Sequence, residues 1–377
     1  MAAGTARLRA TIAVCEVTPP RSVARRASLR ARGSRMSEPR ILAISVVMPV
    51  YNAERALSSS LPPLVSLLLD HEILELIVVD DGSTDASAWV AEEAGARVLP
   101  SGGRLGPAGA RNAGAAVAKG NVLWFVDADV VVHPDAARVL KDALVRTGAA
   151  AVFGSYDEFP AATNFLSQYR NLAHRHHHVR AERAAETFFA GCGAVRASAF
   201  RLVGGFDAAR YPRASIEDVE LGVRLRQRGY PIIIEPELQA RHLRTWHFGD
   251  VVRSDILQNA LPWARLVADG RVPAALHLSF PERMRTLVAW AFVLGALGWF
   301  ATLVPFLVVL ALFGAALAIN ANLFTLFGRA NGWPFAFGAM AFHQLHYVYT
   351  SAAFIACRLG WAPDRPRPPK GAAPRRG

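Results

Sequence analysis

The sequence predicts a doubly wound α/β domain, a mostly parallel sheet with flanking helices, followed by C-terminal membrane-spanning helices. Three observations predict it. From residue 41 onward, continuously apolar β-rich runs alternate with helical segments. Each run ends in polar or acidic residues, as strands buried on both faces of a parallel sheet do. Further on, residues 286–328 contain no charged side chain. Alternation of β and α at this spacing argues for helices packed on a common sheet.

The strand candidates are ILAISVVMPV (41–50), EILELIVVDD (72–81) and NVLWFVDAD (121–129). Helices are expected near 53–69, 84–94 and 106–118, the second opened by the cap signal Ser83, Thr84 and Asp85. In such folds ligands bind beyond the carboxyl ends of the strands, where Tyr51–Asn52, Asp80–Asp81 and Asp127–Asp129 stand. This domain is expected to fill 41–250, followed by an amphipathic or interfacial linker over 251–285.

The stretch 286–319 is nearly all apolar, and as one straight helix it would run about 51 Å against a hydrocarbon core of about 30 Å. Pro305 and the glycines around it therefore predict a hairpin of two short spans. A second uncharged stretch, 330–357, contains His343, Gln344, His346 and Tyr347. Polar groups in a span face protein or a cavity rather than lipid. Two or three membrane segments over 286–357 are expected. Arg283, Arg285 and the basic tail after Arg358 favour the cytoplasm, which places the catalytic domain on that side of a multi-pass membrane protein and requires an even number of spans.

Of 377 residues, 52% are hydrophobic and 19% charged, with mean hydropathy +0.22, which excludes intrinsic disorder as the description of the whole chain. The net charge of +12 is confined to the ends: residues 1–35 carry +7, residues 358–377 carry +5, and the chain between them is neutral. A nucleic-acid-binding surface on the folded domain is therefore not implied. The Arg-rich extension 1–40 reads as a disordered transit-like segment or as sequence upstream of a true start at Met36, the second being favoured; 358–377 reads as a disordered basic tail. Three separated cysteines, Cys15, Cys192 and Cys357, exclude a disulfide framework and a cysteine-built zinc site.

Asp127-Ala128-Asp129 follows a strand, and two carboxylates there could face one Mg²⁺ or Mn²⁺ that neutralises a diphosphate; the alternative is a solvated loop ahead of the next helix. Asp80-Asp81-Gly82-Ser83 could bond a ligand's N–H or hydroxyl, or be an ordinary βα turn. No G-x-G-x-x-G opens a helix after the first strand, so GPAGARNAGAAVAKG is not a dinucleotide fingerprint, and Arg111 within it is either a cation for an anionic ligand or a surface residue. Glu217-Asp218 begins an amphipathic helix carrying Leu221, Val223 and Leu225; a carboxylate there could be a general base, or only a first-turn complement to the helix dipole. His174, His176, His177 and His178 lie among Arg175, Arg180 and Arg183. The His174–His178 spacing suits a metal pair, but a basic face toward lipid headgroups or an anionic lipid acceptor is the favoured reading. The acceptor side is expected to include the Gly191-Cys192-Gly193 turn, by close backbone approach, and His242, Arg244 and Trp246 of LQARHLRTWHF; His242 and the nearby His247 are candidates for pyrophosphate or acceptor contact, with structural packing an equal alternative.

In chain order, SVVMPVYNAE, LIVVDDGSTDAS, GPAGARNAGAAVAKG, VLWFVDADV, FFAGCGAVRASAFRLVGGFD and SIEDVELGVRLRQRGY resemble the family 2 glycosyltransferases of the Rossmann-like GT-A fold, over about residues 41–235. The resemblance implies a nucleotide-sugar donor, held by Pro49, Tyr51, Asn52, Asp80, Asp81, Arg111 and Asp127. It implies a divalent metal, Mn²⁺ or Mg²⁺, held by Asp129 with Asp127, and Asp218 of the Glu217–Asp218 pair as catalytic base in an inverting displacement. The Q-x-x-R-W string of the processive synthases is missing from LQARHLRTWHF, which implies transfer of a single sugar. The apolar region and basic face point to membrane lipid as a partner and to a lipid-linked or cell-envelope glycan acceptor. Two other classes remain open: a nucleotidyltransferase on a similar sheet, and a non-catalytic membrane scaffold that binds a sugar nucleotide.

Overall fold

The computed structural model describes residues 42–180, 183–271 and 280–361, with the side chain of Arg180 excepted. The extension 1–40 with its Met36 start, residues 272–279 of the linker and residues 362–377 of the basic tail lie outside the described residues.

The three strands read from sequence form as β1 (Ile44–Val50), β2 (Glu75–Asp80) and β4 (Val122–Val126), with β3 (Arg97–Pro100) added at the edge. Between them run α1 (Glu54–Leu69), α2 (Ser87–Glu93) and α3 (Gly106–Val117), within a few residues of expectation. β1 pairs in parallel with β2 and β4, and β2 with β3. Strand alternation sends Val46 and Met48 to one face and Val47 to the other. On the first face, Leu57, Leu61 and Leu64 of α1 complete a core with Leu140 and Leu144 of α4 (Ala136–Thr147). On the second, Ala108 and Ala110 of α3 and Phe200 of α6 (Ala197–Leu202) meet Leu221 and Leu225 of α7 (Glu217–Gln227) around Phe125.

The expectation of a mostly parallel sheet holds for this half only. The full order is β3-β2-β1-β4-β8-β6-β9-β5, with β7 also on β9. β8 (Cys192–Arg196) lies antiparallel between β4 and β6 (Ala151–Tyr156). β9 (Ile232–His242) runs parallel to β6 but antiparallel to β5 (Val130–Val132) and β7 (Ala184–Ala185). Apart from β9, which opens on Ile232-Ile233-Ile234 and turns polar from Glu235, these extra strands are short or rich in small residues, so apolar runs mark them weakly. The sheet is mixed.

After β9 the chain forms α8 (Phe248–Arg253), a π-helical segment (Ser254–Ala260) and α9 (Leu261–Ala268). Four more helices follow: α10 (Phe280–Phe300), α11 (Phe306–Ile319), α12 (Ala321–Asn331) and α13 (Trp333–Arg358). The turn expected at Pro305 separates α10 from α11. No single described helix is long and apolar enough to cross a membrane; α11 and α12 pass that test only together, bent by 87°. Leu323, Phe327, Ala336 and Met340 of α12 and α13 bury against Tyr169 and Leu172 of α5 (Phe165–Arg180). The polar residues of the apolar region face protein, as expected: His343 is 4% exposed and bonds Tyr169 at 2.8 Å, and Gln344 is fully buried.

A Cβ built on Gly114 of α3 would lie 2.5 Å from a methyl of Val47 and 2.9 Å from one of Val79, so the helix sits on the sheet only because that position has no side chain. Gly114→Ala is expected to cost about 1–3 kcal/mol in chemical denaturation. Gly249→Ala, on α8 where nothing lies within 4 Å, is expected to be neutral or slightly stabilising.

Candidate active site

The carboxyl ends of the parallel strands open into a cavity of about 1420 Å³, larger than the roughly 300–1,000 Å³ typical of a site for one small molecule. Its first wall is built by a tie between the loops after β1 and β2. Asn52, at φ 49°, accepts the Thr84 N–H at 2.8 Å, and its own N–H donates to Ser83 Oγ at 3.0 Å. Asp85 accepts from the N–H groups of both Ser87 and Glu54, so one side chain caps α1 and α2 together. Tyr51 is left at the mouth with the guanidinium of Arg104 3.1 Å from its ring centroid. Pro49, Tyr51, Asn52 and Asp81 line the cavity. Asp80 does not: it turns back to accept the Ser83 N–H, as a turn residue does. Both oxygens of Asp81 accept backbone N–H groups, from Leu105 at 2.7 Å and Gly106 at 2.8 Å, so Asp81 fixes the entry to α3 from within the wall.

At the centre lies Arg111, 5% exposed, bridging Asp127 at 2.6 Å and Glu217 at 3.0 Å. Burial alone would lower its pKa, but the two carboxylates outweigh that and hold it raised. Glu217 also accepts the Ser215 N–H, so its carboxylate is spent on structure and is not free to act as a base. Asp218 differs. Its carboxylate reaches the cavity and accepts the Ala190 N–H at 3.0 Å and its neighbour Val219's N–H at 2.8 Å. Burial first, and the adjacent negative charge of Glu217 second, push it up to about 7. A carboxyl poised there is suited to take a proton near neutral pH.

The two carboxylates of Asp127-Ala128-Asp129 both line the cavity but go to different partners. Asp127 is committed to Arg111, while Asp129 faces His242, with Nε2 to Oδ2 at 3.5 Å. Burial would raise the Asp129 pKa, but the hydrogen bond and charge of His242, aided by Arg244, hold it below the ordinary carboxylate value. His242 is oriented by flat stacking on Tyr156 at 4.4 Å. An ionised carboxylate beside an oriented imidazole fits a divalent cation. Among the described residues no group of three or more such ligands could hold a metal ion by itself. Asp129 and His242 would therefore hold it with oxygens of a bound diphosphate and water completing the shell.

The histidine run is not a basic face. His174 and His178 turn inward, their rings 4.1 Å apart and packed on Phe189, with His174 also on Tyr156. Burial holds the pKa of both down, His178 to about 4, so they are neutral. Arg175 pairs with Glu158 at 3.0 Å and Arg183 approaches Glu235 at 3.6 Å. Of the acceptor-side residues, Gly191, His242, Arg244 and Trp246 line the cavity. Cys192 and Gly193 instead lie in β8 beneath it. Burial pushes the Cys192 thiol up to about 12, and a Cβ on Gly193 would lie 2.1 Å from the Phe189 carbonyl oxygen, so that glycine serves packing. Sequence reasoning missed Arg170 and Asn171 of α5, which also line the cavity but belong to no motif.

Residues 45–203 match the model of glycosyl transferase family 2. That segment is similar to family 2 glycosyl transferases. It is 35% identical to glycosyltransferase GlyG of Streptococcus pneumoniae over 118 residues, covering 30% of this chain and 38% of that protein. It is 28% identical to the probable glycosyltransferase YdaM of Bacillus subtilis over 208 residues, covering 51% and 49%. The chain thus spans less than half the length of these relatives. Among solved structures, the mannosyltransferase PcManGT of Pyrobaculum calidifontis, in complex with GDP-Man and Mn²⁺, superposes with a TM-score of 0.51 at 18% identity, over 83% of this chain and 87% of that one. That likeness concerns the fold. The domain match and the relatives support a glycosyltransferase enzyme.

Two outcomes test the site. Replacing Arg111 by Met leaves Asp127 and Glu217 facing each other without a cation and is expected to cost about 3–5 kcal/mol in denaturant titration. Below about pH 7 Asp218 is protonated and cannot accept a proton; above it the carboxylate is free. Turnover is therefore expected to rise about tenfold per pH unit below a midpoint near 7 and then level off. Asp218→Asn should abolish the turnover in a full pH–rate profile.

Proposed function

We propose that this glycosyltransferase is membrane-bound and inverting, and transfers one sugar from a nucleotide-sugar donor to a lipid-linked or cell-envelope glycan acceptor. The observation that carries the reading is the placing of Asp218 in the same cavity as Asp129 and His242. Asp218 removes the acceptor hydroxyl's proton as that oxygen attacks the anomeric carbon. Arg111 stays buried and holds Asp127 and Glu217 in register. Asp129 and His242 would hold a divalent cation, which would neutralise the charge of the departing nucleoside diphosphate. Tyr51 and Arg104 flank the end of the cavity suited to a nucleobase. In support of a lipid-linked acceptor, a 29% identical relative from Escherichia coli, aligned over 30% of this chain and 46% of that protein, is named a UDP-Glc:alpha-D-GlcNAc-diphosphoundecaprenol beta-1,3-glucosyltransferase.

Membrane attachment is supported by the apolar side chains that α10, α11 and the turn between them leave uncovered. Phe300 is 77% exposed, Leu303 80% and Leu307 75%, alongside Leu294, Leu297 and Phe306. A contiguous apolar surface of this kind is typical of membrane or protein contact. Because α10 carries Glu282, Arg283 and Arg285 in its first turns and α11 breaks at Asn320 into α12, the helices enter the bilayer as a bent unit, with the catalytic domain on the cytoplasmic side.

Membranes carrying the protein are expected to release nucleoside diphosphate from one member of a panel of sugar nucleotides, dependent on Mn²⁺ or Mg²⁺. Asp129→Asn should lower that release at least 100-fold; release of pyrophosphate instead would favour a nucleotidyltransferase. Extraction of the same membranes with alkaline carbonate is expected to leave the protein in the pellet, and its appearance in the supernatant would contradict integral attachment.

A further inference from the structure

Helix α5 presents Arg170, Asn171 and His174 to the cavity, and the transfer scheme above uses none of them. The guanidinium of Arg170 stacks on Trp246 at 4.2 Å from the ring centroid. It is anchored there by Asp255 of the π-helical segment at 2.5 Å and by the Ser254 hydroxyl at 3.2 Å. The other oxygen of Asp255 is gripped from α13, by His346 Nδ1 at 3.0 Å and Tyr349 Oη at 2.7 Å. Arg244 stacks on the same indole at 3.9 Å, and among the described residues no ion pair joins it to a carboxylate. Two cations thus meet at one aromatic ring in the cavity, one locked to Asp255 and the other in no ion pair with a carboxylate among the described residues.

A second observation points to a ligand independently. Asn171 is 3% exposed, and its Nδ2 donates to the Asp157 carbonyl at 2.7 Å, which fixes the amide. Its Oδ1 then has no donor, and neither does Nδ1 of His174 have a partner. Buried polar atoms without partners are rare and costly, so these two face a site built for something absent from the protein itself. The combination is an anion clamp beside an unfilled hydrogen-bond acceptor. A phosphate fits it better than a carboxylate, because its additional terminal oxygen lets two guanidinium forks engage together.

We propose that Arg170 and Arg244, seated on Trp246, bind the phosphate of a phosphate-bearing acceptor, while Asn171 Oδ1 accepts from a neighbouring hydroxyl. Asp255 is a positioning residue: it holds Arg170 in place and ties the clamp to α13. The assignment rests on reading this cavity as the site of sugar transfer, and it narrows the acceptor to an anionic one.

The test uses the full chain in zwitterionic detergent micelles without nucleotide sugar, titrated calorimetrically with geranylgeranyl phosphate, geranylgeraniol and glucose 1-phosphate. The lipid phosphate is expected to bind at least about tenfold tighter than the alcohol, and Arg244→Gln to weaken it about tenfold. Arg244 is exposed, so that variant keeps the fold. Asp255→Asn is also expected to weaken binding, although it removes a negative charge; tighter binding would overturn the positioning role. Should glucose 1-phosphate bind with the same dependence on Arg244, the subsite stands and its ligand is a soluble phosphate. Equal affinity for lipid phosphate and alcohol, or wild-type affinity in Arg244→Gln, overturns the clamp. Titration of UDP- and GDP-sugars into the wild type reports separately on the transfer reading, since donor binding persists if only the clamp is wrong.

Discussion

A buried arginine shared by two carboxylates sets the geometry of this site. Arg111 comes from α3, Asp127 from the end of β4 and Glu217 from the start of α7, so one guanidinium fixes three elements that have no other reason to meet at those atoms. Such a cluster is expensive to desolvate and is retained only when its hydrogen bonds are well made. Its consequence lies next door. Buried first and set beside Glu217 second, Asp218 sits in a poorly solvated and negative position, which gives it the basicity of a proton acceptor at neutral pH. Adjacent carboxylates at the start of one helix thereby divide into a structural member and a reactive one.

The division was only partly legible in the sequence. Long apolar runs announced β1, β2 and β4, and the acidic residues at their ends marked the cavity, because parallel strands buried on both faces impose both patterns at once. Motif membership could not tell which carboxylates look inward. Asp80 and Asp81 are neighbours at the same strand end, yet one turns back on its own loop and the other anchors α3. The histidine run misled for a related reason. Spacing predicted that His174 and His178 would meet, and they do, but local sequence does not reveal that Tyr156 and Phe189, from distant strands and loops, bury them as neutral rings. Arg170 carried no signal at all, since its role arises from Asp255, 85 positions away.

The C-terminal helices support the elements that line the cavity as well as offering an apolar surface. α12 and α13 close over α5 through Tyr169, and α13 reaches Asp255 with His346 and Tyr349. The chain that leaves hydrophobic residues uncovered on one side thus supplies, on its other side, the support for residues at the acceptor end. The polar side chains within this otherwise uncharged segment therefore have a structural partner in the domain they pack on.

The central claim, a single displacement at the anomeric carbon with Asp218 as the base, is tested most directly by stereochemistry. The glycosylated product formed from the nucleotide sugar that supports turnover would be examined by proton NMR for the coupling at its new anomeric centre. Inversion relative to the donor is the expected result. Retention of configuration would require two displacements or a front-face mechanism, and would contradict the assignment of Asp218 as a base acting on the acceptor.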